Sequence, residues 1–66
     1  MERNIFLNWE ELVQEAIIRR KQQKLTQKQL AVLCGISGPT VNGFEQGKTN
    51  IMLESVLKIL RCLDLA

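Results

Sequence analysis

Residues 26–45 read TQKQLAVLCGISGPTVNGFE, and this stretch decides the fold. Thr26 followed three residues later by Gln29 is a capping box: the threonine hydroxyl takes a backbone N–H of the first turn, and the glutamine amide reaches back to the cap. A helix therefore opens at Gln27. It closes near Gly35, the residue type that enters the left-handed conformation needed past a helix C-terminus. Leu30, Ala31 and Cys34 form its inward stripe, leaving Val32 and Leu33 outward. Ser37 then caps a further helix with Pro39 in its first turn, where a missing N–H is harmless. Val41 and Phe44 face inward on that helix, and Gly47 ends it.

The pattern continues in both directions. Upstream, Asn8 is placed as an N-cap with Glu11 at the capping-box position, and Leu7 and Leu12 are spaced as a hydrophobic staple. Trp9, Leu12, Val13, Ala16 and Ile17 then recur at helical spacing, so a helix is expected from about Trp9 to Gln23, with Ile18 off its apolar face. Residues 1–8 are read as an N-terminal arm and 9–66 as one domain. Downstream, Lys48-Thr49-Asn50 is a polar connector. A last helix is expected from about Leu53 to Leu63, with Leu53, Val56, Leu57, Leu60 and Leu63 inward and Ile59 and Cys62 on a second apolar flank. Strand signals are absent. The fold class is all-α.

Composition narrows the function. The chain has 66 residues, no His, no Tyr and two cysteines. A chain of this size buries only about 60% of the surface its unfolded form exposes, so it needs efficient packing or a partner. Without His, the commonest general base and metal ligand are both missing, and two cysteines do not complete a zinc site. No catalytic residue, no metal and no cofactor is expected. Cys34 and Cys62 lie in apolar stretches and read as reduced core residues, with no disulfide. No stretch resembles a signal peptide or a membrane span, so a cytoplasmic protein with no membrane role is expected. The net charge of +2 is unevenly spread. Residues 1–18 carry four glutamates and one arginine, residues 19–28 carry Arg19, Arg20, Lys21, Lys24 and Lys28 with no acid, and the remainder is balanced. A cationic band of that density suits a phosphate backbone. It also suits a helix C-terminus, whose dipole favours cations.

Two short helices joined by Cys34-Gly35-Ile36-Ser37, with small Ala31 at their crossing, are the arrangement of a helix-turn-helix, whose second helix stands steeply to the first and protrudes. The segment LTQKQLAVLCGISGPTVNGFEQGKTNIMLESVLKILRCL, with Arg20 upstream, resembles the Cro- and lambda-repressor-like (XRE) helix-turn-helix proteins over roughly residues 16–65. The resemblance rests on Arg20, Leu25-Thr26-Gln27, Leu30-Ala31, Gly35-Ile36-Ser37, Val41, Phe44-Glu45, Gly47, Leu57, Ile59 and Leu63. It implies a compact lambda-repressor-like domain of four or five helices, with residues 26–45 as the motif. Within the family the chain looks most like the antitoxin partners of HipA-type kinase toxins. Such antitoxins bind a palindromic double-stranded DNA operator as homodimers, repress their own operon and hold a toxin protein.

By the same resemblance, Gln27 sits over a backbone phosphate and buttresses the recognition helix, which agrees with the anion affinity of a helix N-terminus. Arg20, Lys24, Lys28, Gln46 and Lys48 are the other phosphate-binding candidates. An ion pair with Glu45 is the alternative for Arg20. Base reading falls to Ser37, Gly38, Pro39, Thr40, Asn42 and Gly43. Here the sequence departs from its relatives, many of which carry Gln at the position of Gly38 and a polar or cationic residue at that of Gly43. With only Asn42 and the distal Gln46 able to make bidentate contacts, close backbone approach and DNA shape are expected to supply part of the specificity. Relatives also place Pro and Ser or Thr where Ile51 and Met52 stand. These two residues, with Ile59, Cys62 and Leu65, are the candidates for dimer or partner contact, the alternative for the pair being packing against Trp9 or Phe6. A dimer would read half-sites about 34 Å apart. Two other readings stay open: a phage-type repressor or restriction-modification controller, and a protein-interaction module without specific DNA binding.

Overall fold

A computed structural model describes residues 8–66. It contains four helices: α1 Trp9–Gln22, α2 Gln27–Cys34, α3 Gly38–Glu45 and α4 Leu53–Cys62. The expected staple at Leu7 and any packing of Phe6 lie outside the described residues.

Local chemistry sets the ends of the first three helices. Asn8 accepts from the backbone N–H of Glu10 and Glu11, opening α1. At α2 both halves of the capping box form: the Thr26 hydroxyl accepts from the Gln29 backbone N–H at 3.0 Å, and the Gln29 side-chain Oε1 accepts from the Thr26 backbone N–H at 2.8 Å. Gly35 closes α2 at φ +75°, a conformation that disfavours a β-carbon. Ser37 caps α3, with Pro39 in its first turn. α4 begins without any side-chain cap, because Met52 stands at the N-cap position. The reversal after α1 passes through Lys24 at φ +59°, and the Leu25 N–H donates to the Arg20 carbonyl.

The core is one cluster in which Leu30 of α2, Val41 and Phe44 of α3, Ile59 of α4 and the following Leu63 are fully buried. Val13 and Ala16 bring α1 onto it. Trp9 meets Phe44 edge to face, ring centroids 5.6 Å apart, and its indole N–H donates to the Gly47 carbonyl at 3.1 Å. Arg19 donates to the Leu63 carbonyl at 3.2 Å, tying α1 to the end of α4.

The orientation of α4 differs from the one expected. Its buried line is Val56, Ile59, Leu60 and, just past the helix, Leu63, while Leu53 is 71% exposed and Leu57 only half-buried. Ile59, taken from sequence as a contact for another molecule, is 0% exposed and belongs to the core. The apolar residues of the helix form one broad face, with Leu53 and Leu57 along one edge and Ile59 along the other, so spacing alone did not say which edge lies deepest; packing against α2 turns the Ile59 edge inward. Cys62 and Leu65, also expected at an interface, are half-buried against the same core. Val32 and Leu33 are exposed on the outer side of α2, as their register predicts.

Candidate nucleic-acid interface

The side of α3 that faces the protein is pinned by a polar junction of three helices. Arg20 of α1 donates through Nε to Glu45 Oε2 at 2.6 Å and through Nη2 to Glu45 Oε1 at 3.0 Å. Its remaining nitrogen, Nη1, donates to the Leu25 carbonyl at 2.7 Å. Gln27, the first residue of α2, donates through Nε2 to Glu45 Oε1 at 2.9 Å. The Arg20 and Glu45 side chains are only 12% and 8% exposed. A bidentate, charge-assisted pair in this setting has strict geometry, so it holds the end of α3 at one distance from α1 and α2.

This junction corrects one expectation. Arg20 was grouped with the phosphate-binding cations, but its guanidinium is spent on Glu45 and Leu25, and the ion-pair alternative holds. Gln27 performs the buttressing expected of it, which commits one amide proton to Glu45 while the residue stays partly accessible. Lys24, Lys28, Gln46 and Lys48 are exposed, and no carboxylate of residues 8–66 pairs with these lysines.

The outer side of α3 holds the expected base-reading residues unequally. Ser37, Pro39 and Asn42 are exposed, and Gly38 and Thr40 half-buried. The Ser37 hydroxyl accepts from the Thr40 N–H at 3.2 Å and shares a 2.7 Å hydrogen bond with the Thr40 hydroxyl, so these two groups partly satisfy each other. Gly38 has open space where a β-carbon would stand. Gly43 does not belong to this open surface. It is buried, and a β-carbon there would meet Lys48 Cδ at 3.7 Å and Ile51 Cδ1 at 3.9 Å. The resemblance places it on the exposed side of this helix; in the fold Lys48 and Ile51 of the returning connector cover it.

Two shallow surfaces result. Gln27, Lys28, Gly38, Pro39 and Asn42 line an open cleft between the start of α2 and the start of α3, joining the exposed cation to the exposed amide. Beside it, Pro39, Thr40, Gly43, Lys48, Asn50, Ile51, Met52 and Ser55 line a second depression toward α4. Asn50 of the polar connector and Ser55 of the first turn of α4 were not among the sequence candidates, since nothing in their local sequence marks them as lying beside α3. Of the expected contact residues, Met52 is 69% exposed and Ile51 half-buried against the core. Leu53 joins Met52 at the surface.

Burial pushes the Cys34 thiol up to about 12, aided by a hydrogen bond and charge interaction with Cys62; both cysteines are free. Cys34 is thus a protonated core group at neutral pH. No helix of the described residues is long and apolar enough to cross a membrane.

Residues 18–66 match the helix-turn-helix model HTH_3. An uncharacterized HTH-type transcriptional regulator of Haemophilus influenzae is 43% identical over 49 residues, covering 74% of this chain; the chain spans about half the length of that relative, 50%. Among solved structures, a chain from a HipA-HipB-O2-O3 complex superposes with a TM-score of 0.82 at 31% identity, over 98% of this chain and 90% of that one. A structure described as MDT Protein gives the same TM-score, identity and coverage.

Proposed function

This chain belongs to the helix-turn-helix family HTH_3, and on that footing we propose that it is a sequence-specific double-stranded DNA-binding transcriptional repressor. The observation that carries the reading is the two-sided character of α3. Its inner side is locked by the Arg20–Glu45–Gln27 junction, and its outer side leaves Pro39, Asn42 and the neighbouring Lys28 open in one cleft. A helix held rigidly from behind and unoccupied in front is what entry into a major groove requires. Lys28, Lys24 and the remaining amide capacity of Gln27 meet backbone phosphate, while Asn42 reads a base edge, with adenine its natural partner. Repression follows from occupying an operator in competition with RNA polymerase, in the cytoplasm.

The functional unit is a two-fold dimer on a palindrome. A single short helix reads few base pairs, and the exposed Met52–Leu53 pair at the start of α4 supplies an apolar contact beside the reading surface. The likeness to a chain of a HipA-HipB complex supports the more specific reading of an autoregulating antitoxin that also holds a HipA-type toxin protein. A downstream kinase-like reading frame would support this role, and a methyltransferase or nuclease frame would point to a restriction-modification controller.

One observation favours a second reading. Val32 and Leu33 are 74% and 63% exposed on α2, which suits a module that serves only to hold a protein partner. Titration of the protein against its own upstream DNA at several salt concentrations separates the two. The repressor binds at nanomolar concentration, with log affinity falling steeply against log salt and a large preference over random DNA. Equal, weak binding to operator and random duplex would sink it.

A further inference from the structure

α3 contains two glycines where a DNA-reading helix ordinarily carries side chains, and their surroundings differ. A β-carbon at Gly38 would meet nothing within 4 Å, whereas Gly43 is buried under the stem of Lys48, whose Cδ lies 3.7 Å from the β-carbon position, and under Ile51 Cδ1 at 3.9 Å. The Lys48 backbone N–H donates to the Gly43 carbonyl at 3.1 Å, so the connector is tied to α3 at the glycine itself. Lys48 is exposed despite this contact, pairs with no carboxylate of residues 8–66, and borders one depression with Thr40 and Gly43 of α3. The bare turn of α3 is therefore occupied by a side chain that enters from outside the helix.

We infer that Lys48 is a base-reading residue, taking over at the turn of Gly43 the specificity role that the helix itself lacks there, with guanine as its target. The physical grounds are reach and chemistry. A lysine stem whose Cδ rests 3.7 Å from the β-carbon position of Gly43 lets its ammonium reach the surface from which a side chain at 43 would project, and the guanine O6 and N7 acceptors are the major-groove feature that a lysine recognises. A phosphate-binding lysine needs no such seat, because a flexible stem reaches the backbone from any exposed position. Gly43 is then a packing requirement of the lysine: a longer side chain there would displace it, whereas one at Gly38 would displace nothing. This inference rests on the DNA-binding reading above.

The test uses the full chain and a pool of randomised duplexes, from which the wild type selects its preferred sequence. Lys48→Met keeps the stem and removes the ammonium; Lys48→Arg restores a guanine-reading group; Gly43→Gln displaces the stem and supplies an adenine-reading amide. The expected result is that Lys48→Met loses a guanine preference at one base-pair position per half-site, by roughly ten-fold or more, with other positions unchanged. Lys48→Arg keeps that preference, and Gly43→Gln moves it toward adenine at the same position. Thermal melts of Lys48→Met should match the wild type, because the lost group is solvent-exposed. If Lys48→Met instead weakens all sequences equally and makes the salt dependence shallower, Lys48 is a phosphate contact and the inference is overturned while the repressor reading stands. If the wild type selects no sequence at all, both fall.

Discussion

The two sides of α3 hold similar kinds of residue to opposite effect. On the inner side, Arg20, Gln27 and Glu45 satisfy one another in three hydrogen bonds, with the Arg20 and Glu45 side chains largely shielded from solvent. On the outer side, Asn42 and Lys28 stand exposed, with no side-chain partner among the described residues. A buried charge left without its partner is expensive, so the inner groups are bound to the fold; an exposed amide or ammonium loses little by waiting in water, so the outer groups remain available to a ligand. Inner substitutions should therefore change stability, and outer ones should change binding at constant stability.

The largest effect should come from the apolar part of the inner side. Phe44 is completely buried and carries the edge-to-face contact with Trp9, so Phe44→Ala should cost about 3–5 kcal/mol in denaturant unfolding followed by circular dichroism. In a domain of this size a loss of that order abolishes folding near body temperature.

Arg20→Met should come next, at about 3 kcal/mol, because it strands the Glu45 carboxylate in a nearly closed site. The double variant Arg20→Met with Glu45→Met should be less destabilised than the two single losses added together. Additive losses would mean that the junction is not a coupled unit, and the account of how α3 is held would fail.

On the outer side, Asn42→Ala should leave the melting curve in place and change discrimination at one base-pair position by about 1–3 kcal/mol. Uniform loss across a randomised operator pool would move Asn42 from base reading to general contact. Thr26→Ala lies between the two sides. It removes one half of the α2 capping box and should cost about 1 kcal/mol of stability, with DNA affinity falling only as the start of α2 frays.

The smallest effect concerns the Cys34 thiol. Its folded value, about 12, lies above the ordinary 9.0, so the unfolded chain loses this proton first. Its contribution to stability is complete below 9.0 and is lost as pH rises toward 12. At neutral pH Cys34 should resist alkylation in the native protein and react only after unfolding; ready labelling of the native thiol would show that the end of α2 opens.

Much of this was legible in the chain because it is local. Thr26 with Gln29, Ser37 with the Thr40 N–H, and Gly35 each act within a few residues, so their spacing states their function wherever the helix is later placed. Arg20 and Glu45 are different. Their charges allowed either an ion pair or a phosphate contact, and only the approach of α1 to α3 across 25 residues of sequence selects the pair. α4 escaped the reading for another reason. Its periodicity singles out one broad apolar face but not which edge of that face lies deepest, so Ile59 went inward and Leu53 outward against expectation.

Gly43 shows the same division within one residue. That α3 lacks a side chain there is a property of the sequence, which also dictates the four helices, the caps of the first three and the short turn between α2 and α3. That the gap is filled by Lys48 and Ile51 is a property of the folded chain. Caps and turns are governed by bonds between near neighbours, so they can be read in order. Which side chain covers which surface depends on where distant elements meet, and only tertiary packing brings those atoms within contact distance.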